Sequence, residues 1–201
     1  MTPPFIYLAS QSPRRSQLLA QIGVAHQLLL PGADEDSEAL EVVLAGEAPR
    51  DYVQRVTALK LHAALARRQR LGLPEAPVLC ADTTVALGRD ILGKPLDAQD
   101  AQRMLNRLSG RTHQVFTAIA LGWGGRVEQA ISASDVVFAP VQPEAIARYA
   151  SRGEPMGKAG AYAVQGEAAA FIARIEGSYS GIMGLPLFET AQLLRTMGAW
   201  E

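Results

Sequence analysis

The hydrophobic positions of the chain fall into short unbroken runs and longer stretches with helical spacing. Phe5-Ile6-Tyr7-Leu8-Ala9 is a run of the first kind, the pattern of a buried strand, and it leads into Ser10-Gln11-Ser12-Pro13. Ser12 suits an N-cap and Pro13 the first helical position. Leu18, Leu19 and Ile22 then form one apolar stripe and Gly23 ends it, which predicts a strand, a tight turn and a helix. After a loop rich in Gly, Asp and Glu over residues 31–48, Pro49 opens a long helix reaching residue 71. In it Tyr52, Val56, Leu59, Ala63 and Ala66 recur at three- and four-residue steps, and Gly72 and Pro74 mark its end.

Residues 78–81 read as a buried strand, with Asp82 at its end; residues 83–87 continue that strand or begin another. Gly88-Arg89-Asp90 then turns the chain into Ile91-Leu92. Asp97 with Asp100 resembles a capping box in which an acid replaces the usual Glu or Gln. It opens a helix whose Ala101, Met104, Leu105 and Leu108 share a face before Gly110. Residues 115–121 and 127–138 form a hairpin around Gly-Trp-Gly-Gly, and a helix over 143–151 stops at Gly153. A strand over 171–175 and a last helix opened by Pro186 complete the set. Alternating helices and strands with two hairpins imply an α/β fold built on a mixed sheet.

Composition narrows the class. With 48% hydrophobic and 19% charged residues in 201 positions, the chain can bury a core as one large domain or two small lobes. A net charge of −1 provides no global positive field for nucleic acid or an anionic membrane, so basic side chains must act locally. Cys80 is the single cysteine, which excludes an intrachain disulfide, and three scattered histidines give no zinc framework. The first nine residues lack a positive region and a long enough apolar run for a signal peptide, and no stretch approaches a membrane span. A soluble protein of a reducing, cytoplasmic compartment is expected.

The chemistry is concentrated in a few places. Ser10-Gln11-Ser12-Pro13-Arg14-Arg15 sets two guanidinium forks at a helix N-terminus, where unpaired N–H groups and the positive dipole end favour phosphate; the same residues could equally just start a helix with its arginines in solvent. Asp82, near the carboxyl end of a strand, is placed either to hold Mg2+ and take a proton from water or to serve as a turn aspartate. Lys94 follows the hairpin and could return a cation towards Asp82, and Lys60 edges the buried stripe of its helix, facing a cleft or snorkelling over the core. Asp34-Glu35-Asp36 offers further carboxylates in a loop.

The segment from Gly153 to Gly184 carries seven glycines in 32 residues, a density that implies positive φ or close backbone approach. Within it Lys158, Tyr162 and Gln165 are group types that can read a nucleobase. Gly153 to Ala159 is not a P-loop, because its glycine spacing is one residue short and Ala159 stands in place of Ser or Thr.

Taken together these segments resemble the Maf family of nucleotide pyrophosphatases over nearly the whole chain. The matching blocks are Leu8-Ala9-Ser10-Gln11-Ser12-Pro13-Arg14-Arg15, Ala81-Asp82-Thr83, Gly93-Lys94-Pro95, Leu108-Ser109-Gly110, Gly153-Glu154-Pro155, Lys158-Ala159-Gly160-Ala161-Tyr162, Gln165-Gly166 and Gly184-Leu185-Pro186-Leu187. The resemblance implies a single Maf-like domain over 1–201: a mixed, twisted central sheet flanked by helices, with two lobes around an active-site cleft, as in the inosine-triphosphatase-like folds. It implies hydrolysis of a nucleoside triphosphate between the α and β phosphates with a divalent metal, Mg2+ or Mn2+. By the same matching Asp82 is the proton acceptor and a metal ligand, Glu35 a second acid near the metal, and Ser10, Arg14, Arg15, Lys60, Lys94 and Lys158 contact substrate. Arg14, Thr83 and Gln165 match the specificity positions of the branch that prefers dTTP and UTP. A homodimer is also implied, with no nucleic-acid or membrane partner. The family commonly has Asp before the lysine of the glycine-rich block, where this chain has Gly157. Two alternatives stay open: a pyrophosphatase for 7-methyl-GTP or a non-canonical purine triphosphate, and a non-enzymatic nucleotide-binding regulator of division.

Overall fold

A computed structural model describes residues 3–32, 35 and 39–201; Asp34 and Asp36 of the acidic run lie outside the described residues. In chain order the strands are β1 (Ile6–Leu8), β2 (His26–Leu28), β3 (Val78–Leu87), β4 (Asp90–Leu92), β5 (Thr112–Trp123), β6 (Arg126–Phe138) and β7 (Ile172–Glu176). The helices are α1 (Pro13–Gln21), α2 (Pro49–Arg70), α3 (Ala98–Leu108), α4 (Pro143–Ser151), α5 (Tyr179–Met183) and α6 (Leu187–Thr196).

All seven strands join one sheet in the order β2-β1-β3-β5-β6-β7, with β4 folded back on β3. β1 is parallel to both β2 and β3, and every other pairing is antiparallel, so the sheet is mixed, as the two expected hairpins require. Helices cover both faces. Along β3 the two-residue period divides the core: Leu79 and Ala81 pack with Leu18, Leu19 and Leu194 of α1 and α6, whereas Val78 and Cys80 pack with Leu61 and Ala64 of α2. A second core on the other half of the sheet holds Val85, Leu105, Leu108, Val136, Phe138 and Ile146.

The most consequential difference from the sequence expectation concerns Asp82. It lies in the middle of an uninterrupted ten-residue β3 and not at a strand end. β5 runs along one edge of β3 from Val78 to Ala86. The opposite edge is shared: β1 pairs only with Val78 and Leu79, and β4 only with Val85, Ala86 and Leu87. Among the described residues no strand pairs with residues 80–84 on that side. The sheet therefore has a notch in it, and Asp82 stands in the notch.

Three further details differ. Ser12 makes no side-chain cap at α1; the backbone N–H of Ser12 instead donates to Ser10 Oγ at 3.2 Å. β2 was not legible because its three residues, His-Gln-Leu, are half-buried to exposed and are held as a strand by backbone pairing to β1. α5 is five residues long, capped by Ser178 Oγ accepting from Gly181 N at 3.0 Å and ended by Gly184 at φ +116°, and it breaks up a segment expected to be loop. The Asp97 cap forms as expected, its carboxylate accepting from Asp100 N at 2.7 Å, while Asp100 reaches back one residue further, to Leu96 N.

Candidate active site

A cavity of ≈ 630 Å³ opens at the notch. Ser10, Arg14 and Arg15 reach it from the β1–α1 turn, Lys60 from α2, Asp82 and Thr83 from β3, Lys94 from beyond β4, Lys158 from the glycine-rich segment, and Glu35 from the loop before α2. Gln165 is exposed and not part of the wall, although Val164 beside it is. The expected substrate, metal and specificity residues other than Gln165 thus meet around one space.

Alternation along β3 sends Asp82 and Thr83 to opposite faces, and the notch lets both reach the cavity. On the α2 face, Asp82 Oδ1 accepts from Lys60 Nζ at 2.5 Å. The same ammonium donates to Glu41 Oε1 at 2.7 Å, and Glu41 Oε2 accepts from Lys94 Nζ at 3.0 Å. Two carboxylates and two ammonium groups are thereby linked in one chain. Burial alone would raise the Glu41 pKa, but the charge and hydrogen bonds of Lys60, with those of Lys94, outweigh it and hold the carboxyl below its ordinary range. Tyr52 closes this side, its hydroxyl donating to Glu41 O at 3.0 Å. Burial, with Asp82 and Glu41 adding, pushes that phenol up to about 12, so it stays a donor.

On the opposite face Arg15 is a pin. Its Nε donates to Gly184 O at 2.7 Å, Nη1 to Ser10 Oγ at 3.0 Å and Nη2 to Thr83 Oγ1 at 3.4 Å, which ties the start of α1 to β3 and to the end of α5. Burial pushes its pKa down and Asp82 pushes it back up; a guanidinium stays charged at any pH of interest. Thr83 Oγ1 also pairs with Thr117 Oγ1 at 2.9 Å, and Thr117 donates to Gly181 O at 2.7 Å, so the hydroxyl at Thr83 is fixed from two sides. Arg14 is tethered more loosely, Nε donating to Met183 O at 3.4 Å.

Lys158 Nζ donates to the Glu154 carbonyl, and its pKa is lowered by burial and then by the charge of Arg14. Tyr162 forms a wall of the cavity with its hydroxyl bonded to His113 Nε2 at 2.8 Å; burial lowers His113 to about 4, so this imidazole is neutral near pH 7.

Glu35 is held differently from Glu41. Arg67 donates to it from Nε at 2.9 and 3.0 Å and from Nη2 at 2.5 Å, and Arg70 Nη2 donates at 2.6 Å. Hydrogen bonding from Arg67, against burial and helped by Arg70, brings the carboxyl down to about 2. Glu35 faces the cavity but its oxygens are spoken for, and Glu41 is the acid that shares a cation with Asp82. Among the described residues no group of three or more His, Cys, Asp or Glu could form a metal cage.

A family model described as Maf-like protein matches residues 5–197. The chain belongs to the Maf family. Curated Maf relatives align over almost their whole length. A dTTP/UTP pyrophosphatase of Albidiferax ferrireducens is 67% identical over 194 residues, covering 96% of this chain and 97% of that protein. Proteins of the same name from a Polaromonas species, 62% identical over 194 residues, and from Cupriavidus metallidurans, 61% identical over 193, each cover 96% of both chains. A solved nucleoside-triphosphatase / dITP/XTP pyrophosphatase of Mycobacterium abscessus aligns with 68% of this chain and 75% of its own at 16% identity and a TM-score of 0.42.

Beyond the residues that mark this chain as Maf-like, the cavity contains three that sequence reasoning did not single out for it. Glu41 sat in a segment treated as loop, and nothing local marks it as facing two lysines. Tyr52 was counted as part of the apolar stripe of α2, where it is, with its hydroxyl turned to the cavity side. Arg67 lies fifteen positions after Tyr52 on the same helix, and a buried arginine on a core-facing helix is itself a signal that a carboxylate must be near.

Proposed function

We propose that this Maf family protein hydrolyses dTTP and UTP to the monophosphate and pyrophosphate, with Asp82 as the proton acceptor. The observation that carries this reading is the full-length likeness to relatives named dTTP/UTP pyrophosphatase, 67% identical in the nearest case cited. The geometry supports it: Asp82 stands in a cavity lined by the cations Arg14, Arg15, Lys60, Arg67, Lys94 and Lys158, with Glu35 and Glu41 as the other carboxylates. The whole chain then acts as one Maf-like domain, its two lobes meeting at the notch.

Water attacks the α-phosphorus; Asp82 takes the proton, and the bond from the α-phosphorus to the bridging oxygen of the β-phosphate breaks, with the electron pair leaving on pyrophosphate. Lys60 holds the Asp82 carboxylate in one orientation from 2.5 Å. Arg14, Arg15, Lys60 and Lys94, with Ser10 as a neutral partner, offset charge that grows on the leaving group. Lys158 contacts substrate from the glycine-rich side, next to Arg14. Thr83, its hydroxyl fixed by Thr117 and Arg15, and Arg14 set the base preference for a pyrimidine, with Gln165 joining them only if its side chain turns in from outside the cavity wall.

The donor set fits a hard divalent cation, Mg2+ or Mn2+. Asp82 and Glu35 line the same cavity; Arg67 and Arg70 keep Glu35 ionised, and a Glu35 oxygen would have to exchange an arginine hydrogen bond for the cation. One or two carboxylates completed by substrate oxygens and water is the usual arrangement for Mg2+, for which no all-protein cage is required. When bound, the cation would draw charge from the phosphoryl oxygens.

The decisive experiment is a panel of dTTP, UTP, 7-methyl-GTP and purine triphosphates with Mg2+ or Mn2+, scoring monophosphate and pyrophosphate. dTTP and UTP are expected to lead, and equal or better turnover of purines defeats the pyrimidine assignment. Asp82→Asn should bind nucleotide yet lose turnover by about a hundredfold or more; near-native rates would remove Asp82 from its role. No helix among the described residues is long and apolar enough to cross a membrane. A cytoplasmic location belongs to the same proposal and is compatible with the free, buried thiol of Cys80. A homodimer is part of the same proposal, checked by light scattering on the purified chain.

A further inference from the structure

Glu41 stands between the two lysines assigned above to phosphate. We infer that it is a built-in competitor for that position, a specificity-determining carboxylate that occupies the Lys60–Lys94 pair when no triphosphate is bound and thereby weakens the hold of the site on free phosphate and pyrophosphate. The inference rests on the phosphate-binding reading of the cavity.

The placement of the two oxygens is the first argument. Oε1 lies 2.7 Å from Lys60 Nζ and Oε2 lies 3.0 Å from Lys94 Nζ, so a single carboxylate spans the two cations as two non-bridging phosphoryl oxygens would. Its ionisation is the second, since Lys60 and Lys94 hold its carboxyl below the ordinary range against the effect of burial, leaving it an anion near pH 7.

The third argument is that the segment carrying Glu41 is strapped to α2. Tyr52 donates to the Glu41 carbonyl at 3.0 Å, and Arg55 Nη2 to the Val42 carbonyl at 2.8 Å. Arg55 also grips Glu47 through Nε at 2.6 Å and Nη2 at 2.8 Å, and Glu47 Oε2 accepts from Leu44 N at 3.1 Å, which closes the loop on itself. A tethered anion competes at the high effective concentration its tether confers.

The consequence is discrimination by charge and by number of contacts. Inorganic phosphate or pyrophosphate must displace Glu41 and gains nothing from the base-binding side of the cavity. A nucleoside triphosphate makes those further contacts and can meet the cost. After cleavage the carboxylate can return to the lysines as pyrophosphate departs, which opposes product inhibition.

The test is calorimetric titration of pyrophosphate into the native chain, Glu41→Gln and Arg55→Ala in the absence of divalent metal, together with pyrophosphate inhibition of nucleotide hydrolysis in its presence. Glu41→Gln removes the charge and keeps the shape; it should bind pyrophosphate about tenfold more tightly, with a parallel fall in the inhibition constant and a lower KM without a higher kcat. Arg55→Ala, outside the cavity wall, loosens the strap and should shift binding the same way by a smaller factor. Unchanged or weaker pyrophosphate binding by Glu41→Gln overturns the inference. So does a loss of metal-dependent turnover with pyrophosphate affinity unaltered, since Glu41 would then serve the metal or the fold. If neither the native chain nor Glu41→Gln binds pyrophosphate, the phosphate-site reading itself is refuted, and this inference with it.

Discussion

Replacing Glu35 by Gln isolates one electrostatic clamp. Arg67 is only 5% exposed, and apart from the Leu29 carbonyl at 2.9 Å its hydrogen bonds run to the Glu35 carboxylate. Gln keeps an acceptor oxygen and roughly the same volume but removes the charge that a buried guanidinium needs. Bringing the carboxyl from 4.5 to about 2 is equivalent to roughly 3 kcal/mol in favour of the ionised form. Water around Arg70, whose side chain is 52% exposed, screens part of this, and about 1–2 kcal/mol is expected to survive. For a chain of this size that lowers Tm by roughly 2–8 °C. The sign with pH follows from the depressed pKa: the stabilisation is complete above the unfolded value of 4.5 and is lost as pH falls towards 2. Thermal melts of both proteins from pH 8 to pH 3 should therefore show a constant gap down to about pH 5, less than about half of which remains at pH 3. Equal Tm values at pH 7, or a gap that does not narrow below pH 4.5, would refute the clamp.

Two further outcomes follow from packing and pinning. Gly160→Ala puts a Cβ on a backbone at φ +68° and only 2.8 Å from Val85 Cγ1 in the core; strain and overpacking together should cost roughly 2–4 kcal/mol, read as a lower urea midpoint at unchanged m. Arg15→Lys replaces a fork that serves Gly184 O, Ser10 Oγ and Thr83 Oγ1 by a single ammonium that cannot span them; about 1–3 kcal/mol of stability should be lost and KM should rise, measured by thermal melts and steady-state kinetics.

What was legible in the sequence was whatever its own spacing encodes. α2 was expected over 49–71 and runs Pro49–Arg70, because a helix of that length carries its apolar stripe and its Pro and Gly boundaries with it. The β5–β6 hairpin declared itself through Gly124 and Gly125, both at positive φ. β2 and α5 did not, since three and five residues are too few to show a period and each is held by neighbours remote in sequence. The same division runs through the cavity. Arg14, Arg15, Asp82 and Lys94 belong to blocks that matched the family, whereas Glu41 becomes interesting only when the loop before α2 folds back over Lys60 and Lys94.

The misplacement of Asp82 shows how a sound rule can be applied to the wrong strand. The apolar run over residues 78–81 put Asp82 at a strand end, and the rule that ligands in open α/β sheets collect beyond the carboxyl ends of strands then marked it as a site residue. β3 in fact continues for five residues past it. The strand that ends at the cavity is β1, which stops at Leu8 because the chain must turn through Ser10 and Ser12 to begin α1 at Pro13, a residue with no N–H to offer a ladder. Since β4 rejoins β3 only at Val85, the space vacated by β1 leaves residues 80–84 without a strand partner on one edge among the described residues. The cavity thus sits at the carboxyl end of β1 and the amino end of α1, as the rule demands, and borrows Asp82 from the side of its neighbour. An acid on a rigid, doubly covered strand is held more firmly than one on a loop tip. That firmness suits a group that pairs with Lys60 at 2.5 Å and is proposed to take a proton from water arriving from a fixed direction.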